Sequence, residues 1–130
     1  MIPKFRAWDK IDKELYLVDE INFNRGEFES IGDGITFLRG ASEVELMQST
    51  GLKDKNGREI FEGDVIAIEV DDTETPINAR VFQNSKIGVL MFHVFEDNED
   101  VPMVELLEDN SVAFKILGNI YENPKLLEVE

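Results

Sequence analysis

Thr50-Gly51-Leu52-Lys53-Asp54-Lys55-Asn56-Gly57-Arg58-Glu59-Ile60-Phe61-Glu62-Gly63-Asp64-Val65-Ile66-Ala67-Ile68-Glu69-Val70 is the stretch whose reading decides the fold. Gly51, Gly57 and Gly63 recur at equal spacing and let the backbone turn sharply, while Leu52, Ile60 and Phe61 offer apolar side chains to a core. Asn56-Gly57 accepts positive φ and reads as a hairpin turn. Glu62-Gly63-Asp64 reads as a second tight turn, directly before the β-branched run 65–70. Gly51, Gly57, Gly63 and Asp64 are therefore expected as structural turn positions, with Gly118 further along the chain. The polar residues of the same block, Lys53, Asp54, Lys55, Asn56 and Arg58, have two readings. They are the solvated tip of a hairpin, or a recognition loop presented by a rigid scaffold.

Working outward, strands are expected at residues 77–82, 87–95 and 112–117, with polar breaks at 71–75, 84–86 and 96–100. Pro102 can open a helix, and Met103, Leu106 and Leu107 recur at helical spacing after it. Asn123-Pro124 before Leu126-Leu127 offers a cap and first-turn proline for a terminal helical turn. Upstream, Lys4-Phe5-Arg6-Ala7-Trp8 alternates as a strand, residues 9–13 form a polar turn, and residues 15–18 with 21–23 read as a second strand, closing an N-terminal hairpin. Gly26, Gly32, Gly34 and Gly40 punctuate the next stretch and leave a short strand at 35–38. Ser42 and Glu45 fit a capping box, but Val44-Glu45-Leu46 alternates as a strand does, and the strand reading is preferred. The expectation is one mainly β domain over 1–130, with an N-terminal β region (1–49) and a barrel-like region (50–130). Closely spaced strands with short loops point to a small, partly open barrel or SH3-like roll with one or two short helices.

Composition sets the bounds. A chain of 130 residues buries about two thirds of its extended surface on folding, and 42% hydrophobic with 32% charged residues is a globular composition. There is no cysteine, which excludes disulfides, thiol nucleophiles and thiolate metal sites. The first residues carry Lys4 and Arg6 where a secretory segment needs an apolar run of roughly 7–15 residues. The densest apolar run, Val89-Leu90-Met91-Phe92, is far short of the roughly 18 needed to span a bilayer. A cytoplasmic location is the expectation. The net charge is −15 and uneven: residues 1–60 hold 9 bases against 12 acids, a net of −3, and residues 61–130 hold 4 against 16, a net of −12. Such a field repels a polyanion, so direct nucleic-acid binding is not expected outside a local basic patch at Lys4, Arg6, Lys10 and Lys13.

No catalytic signature stands out. His93 is the one histidine and in an alternating strand shares a face with Val89, Met91 and Phe95, the setting of a core or rim residue. No nucleophile-elbow sequence accompanies it. Asp71-Asp72-Thr73-Glu74 and Glu96-Asp97-Asn98-Glu99-Asp100 lack EF-hand spacing and read as solvated loops. Gly32-Asp33-Gly34 has no third glycine of a dinucleotide fingerprint, since Phe37 stands there. No cofactor or metal is expected.

Three segments together resemble the YopX family of small proteins of bacteriophages and prophages. They are Lys4-Phe5-Arg6-Ala7-Trp8-Asp9, the block from Leu46 to Ile66, and Ile116-Leu117-Gly118-Asn119-Ile120-Tyr121-Glu122-Asn123-Pro124. Ser49 stands where the family usually has an aromatic residue and Phe61 where it has tyrosine, so no role of that hydroxyl carries over. The resemblance implies a β-barrel-like fold and a phage origin, and brings no established activity. The function expected is a non-catalytic accessory module in the bacterial host cytoplasm that binds a host or phage protein or a second copy of itself. The alternative is an enzyme or ligand-binding barrel whose site is dispersed over residues such as Asp64, Glu69, His93 and Tyr121.

Overall fold

The computed structural model describes residues 4–32, 38–70, 75–84, 86, 88–104 and 112–127. The fold is mainly β, with a curled half-barrel sheet. The chain divides into two compact units, Met1–Ser49 and Thr50–Glu130.

In the first unit, β1 (Phe5–Asp9) pairs antiparallel with β2 (Glu14–Leu17) and with the first half of β6 (Val44–Lys53). A second sheet runs in the order β3 (Glu20–Asn24), β4 (Glu27–Gly32) and β5 (Leu38–Gly40). The single strand expected across 15–23 is thus two strands that pair with different neighbours. The interruption falls at Val18, whose N–H donates to the Phe5 carbonyl at 3.0 Å, and the exposed Asp19. Ala7, Ile31 and Val44 are buried at the centre of this unit, with Val18, Ile21, Phe28 and Leu46 packed on them. Asp9, fully buried, organises the turn that follows it. Its Oδ1 accepts the N–H groups of Ile11 (2.8 Å) and Asp12 (3.3 Å), and its Oδ2 accepts Arg39 Nε at 3.0 Å. Arg39 also reaches Asp12 Oδ2 at 3.0 Å, so a buried charge is paired as burial requires.

The β3–β4 hairpin turns through Arg25 (φ 54°) and Gly26 (φ 81°), the double positive φ of a type I′ turn. The strand expected at 35–38 lies mostly outside the described residues, and Leu38 begins β5. No capping box joins Ser42 to Glu45. Instead a 3-10 turn at Ala41–Glu43 is closed by the Glu43 carboxylate accepting the Gly40 N–H at 2.9 Å, and Glu45 already belongs to β6.

In the second unit, the end of β6 turns into β7 (Glu59–Phe61). A five-stranded antiparallel sheet follows. In it β8 (Asp64–Glu69), β9 (Ile77–Asn84), β10 (Val89–Val94), β11 (Glu99–Pro102) and β12 (Ala113–Asn119) are ordered β11-β10-β9-β8-β12. The β-branched, apolar run 65–70 was expected as a strand, and β8 is the most continuously buried one. Alternation sends Ile66, Ile68, Ala79, Val81, Phe92, Val94 and Phe114 into one core, where the Phe92 and Phe114 rings lie 5.5 Å apart. The polar break expected at 96–100 is shorter than its composition indicates. Residues 95–98 turn, and Glu99 and Asp100 are in β11 because they face Val94 and His93 across the ladder while Val101 packs on the core. Pro102 ends β11, and the helical residues expected after it begin directly at Met103. Met103 and Val104 are helical, and Leu106 and Leu107 lie outside the described residues. A 3-10 turn at Pro124–Leu127 occupies the place of the expected terminal helical turn.

Candidate functional site

The loop joining β6 to β7, with the candidate recognition residues Lys53, Asp54, Lys55, Asn56 and Arg58, is the natural place to look for a site. Lys53, Lys55, Asn56 and Arg58 are exposed, but Asp54 is only 6% exposed. Its carboxylate faces inward and holds the loop together. Oδ1 accepts the N–H groups of Asn56 (3.0 Å) and Arg58 (2.9 Å), and Oδ2 accepts the Ile116 N–H on β12 at 3.1 Å. The backbone follows the same plan. Gly57 N–H donates to the Asp54 carbonyl at 3.0 Å, Asp54 N–H to the Arg58 carbonyl at 2.7 Å, and Lys55 N–H to the Phe114 carbonyl at 2.8 Å. The Lys55 ammonium is 3.0 Å from both Glu69 carboxylate oxygens. The loop therefore seals polar groups along β12, which is an end strand of its sheet and would otherwise offer them to another strand.

Burial works against the Asp54 charge, but the converging N–H groups of Arg58, Ile116 and Asn56, helped by the Arg58 guanidinium charge, hold its carboxyl below the ordinary carboxylate pKa.

The Asn56-Gly57 pair does not make the type I′ hairpin its sequence announces. Gly57 alone has positive φ (84°), at the last position of a four-residue turn that starts with Asp54. Aspartate first and glycine fourth is the signature of that turn, and its first residue is the one whose side chain matters. Gly57→Val, forced into a conformation that β-branched residues avoid, should destabilise by about 1–3 kcal/mol. Lys55→Ala, which removes only an exposed ion pair, should cost no more than about 1 kcal/mol. Urea melts of the two variants check this order, and a neutral Gly57→Val would contradict it.

The other turn positions divide. Gly63 (φ 87°) follows Glu62 in the two-residue turn between β7 and β8, and its N–H and carbonyl bond Val81 and Ile120. Asp64, 1% exposed, closes that turn by accepting the Phe61 N–H at 2.8 Å. Gly51 (φ 80°) and Gly118 are not turns. Gly51 lies within β6, and Gly118 sits in β12 beside the shift of register after Ile116, where lack of space decides the residue.

Two members of the dispersed set stand too far apart to share one site. Asp64 and Glu69 begin and end β8, about 16 Å apart along a strand. His93 lies on β10 opposite Arg80, and its Nδ1 is 2.7 Å from Asp100 Oδ1 on β11. Tyr121 follows β12 with its N–H on Asn119 Oδ1 at 3.0 Å. Among the described residues no group of three or more His, Cys, Asp or Glu side chains could hold a metal ion. Asp71, Asp72, Thr73, Glu74, Asp33 and Gly34 lie outside them. No helix among the described residues is long and apolar enough to cross a membrane.

These features define a small acidic antiparallel β protein with a polar loop whose buried aspartate turns inward. The YopX protein family model matches residues 4–128, and the chain belongs to the YopX family. The crystal structure of protein EF1440 from Enterococcus faecalis is similar at 27% identity and a TM-score of 0.62, covering 98% of this chain and 99% of that one. The crystal structure of protein yopX from Bacillus subtilis is similar at 19% identity and a TM-score of 0.64, covering 96% and 98%, and at that identity the likeness is one of fold. No curated protein matches the chain.

Proposed function

We propose that this chain is a phage or prophage accessory protein of the host cytoplasm, acting without catalysis by binding a basic protein surface through its acidic second half. The observation that carries this reading is the charge distribution. Residues 61–130 hold 16 acids and 4 bases, and Glu96, Asp97 and Glu99 stand exposed around the β10–β11 turn. A field of one sign steers a partner of the other sign and raises its rate of encounter. The loop at 53–58 supports the same reading indirectly, because its one inward carboxylate is already committed to backbone N–H groups.

Capture from host lysate with the folded protein, compared with a Glu96→Gln, Asp97→Asn, Glu99→Gln triple variant, tests this. A basic protein retained by the first and lost from the second, with retention falling as salt rises, is the expected result. An acidic partner, or equal retention by both, would overturn it. The same charge predicts no appreciable binding to random duplex DNA at physiological salt, checked by a mobility shift, because few cations are available to release counterions.

A further inference from the structure

Of the nine asparagines in the chain, Asn56 alone precedes a glycine. Its side chain is exposed, and nothing lies within 4 Å of the place a Cβ would occupy at Gly57. An asparagine loses its side-chain amide when the next backbone nitrogen attacks its Cγ, and a following glycine gives that attack the least obstruction. Here the attacking nitrogen is held. The Gly57 N–H donates to the Asp54 carbonyl at 3.0 Å, and the Asn56 N–H is held by Asp54 Oδ1 at 3.0 Å.

We propose that Asn56 is a site of spontaneous deamidation, and that the Asp54-centred turn sets its rate by keeping the Gly57 nitrogen from the Asn56 side chain. In the step itself hydroxide removes the Gly57 amide proton and the nitrogen forms a bond to Asn56 Cγ. The Cγ–Nδ2 bond breaks, and the nitrogen leaves as ammonia after taking up a proton from water. The resulting five-membered succinimide is opened by water at either carbonyl, giving aspartate or isoaspartate, with no change of oxidation state. Both products put a carboxylate at position 56, two residues from the Asp54 carboxylate. Isoaspartate also adds a methylene to the backbone inside the Asp54 to Arg58 hydrogen-bonded loop. Modification therefore loosens the loop that seals β12, in the block that holds the candidate recognition residues.

The test is peptide mapping by mass spectrometry after incubation at mildly alkaline pH, with the wild-type chain folded in buffer and unfolded in urea. Asn56 is expected to convert first in both. Folding should slow it by about tenfold, which corresponds to a local opening free energy of about 1.4 kcal/mol. In folded Asp54→Ala the rate should rise toward the unfolded one. If that variant does not fold, the folded and unfolded wild-type rates decide. Another asparagine converting first, or equal folded and unfolded rates at Asn56, would overturn the proposal.

Discussion

Asp54→Ala should lower the unfolding free energy by about 2–4 kcal/mol, well beyond the effect of an ordinary loop substitution. Three backbone N–H groups lose their acceptor, and a buried donor left unpaired costs about 1–3 kcal/mol. The full sum is not expected, because Asn56 and Arg58 are exposed enough for water to replace the carboxylate, whereas Ile116 is only partly accessible in β12. Asp54→Asn removes the charge. An amide can keep one acceptor but places an NH2 group where the other oxygen stood. The sign of the pH dependence follows from the depressed carboxyl pKa. The stabilisation is fully present above the unfolded value of 3.8 and is lost as pH falls through the lower folded value. Urea midpoints of wild type and Asp54→Asn should therefore differ near neutrality and converge in acid. A gap that is unchanged in acid would remove the charge from the account.

Gly118→Val should cost about 2–4 kcal/mol, for a reason unrelated to turn geometry. A Cβ at this position would overlap the side-chain oxygen of Asn123 and stand 2.9 Å from both Asn123 Cγ and Leu126 Cδ1. Asn123 cannot swing away freely, since its oxygen accepts the Asn119 N–H at 3.2 Å, while Asn119 Oδ1 in turn holds the N–H groups of Tyr121 and Glu122. Overpacking of about 1–3 kcal/mol is therefore added to a displaced hydrogen bond of about 1 kcal/mol. The loss should appear in urea melts, with the N–H signals of residues 119–122 moving most in the nuclear magnetic resonance spectrum. Unchanged stability would mean that the 3-10 turn at Pro124–Leu127 yields to the new side chain.

The strands that the sequence displays are those whose side chains are apolar and β-branched, above all β8, where the pattern and the burial coincide. The ones it hides are hidden for local reasons. β7 is three residues long, β11 begins with two exposed acids, and β2 and β3 share an apolar run whose interruption at Val18 and Asp19 depends on which strands are available to pair. Pairing partners lie far along the chain, and local pattern carries no record of them. The site shows the same division. The block 53–58 is recognisable as a turn from its glycine and polar residues, and aspartate four positions before the end of that turn is a signal for its type. That Asp54 should be buried is not legible, because the N–H group that draws it inward belongs to Ile116, 62 residues later. The double positive φ of a type I′ turn, which Asn-Gly advertises, is instead used at Arg25-Gly26, where the sequence offers only the glycine.

Amide hydrogen exchange at Ile116 tests most directly whether the loop at 53–58 folds inward to seal β12. With Asp54 Oδ2 as acceptor, the Ile116 N–H should exchange as slowly as the inner-ladder amides of β12 in the wild type, and markedly faster in Asp54→Asn under conditions where both chains are folded. Fast exchange at Ile116 in the wild type, or the same slow rate in both chains, would contradict it.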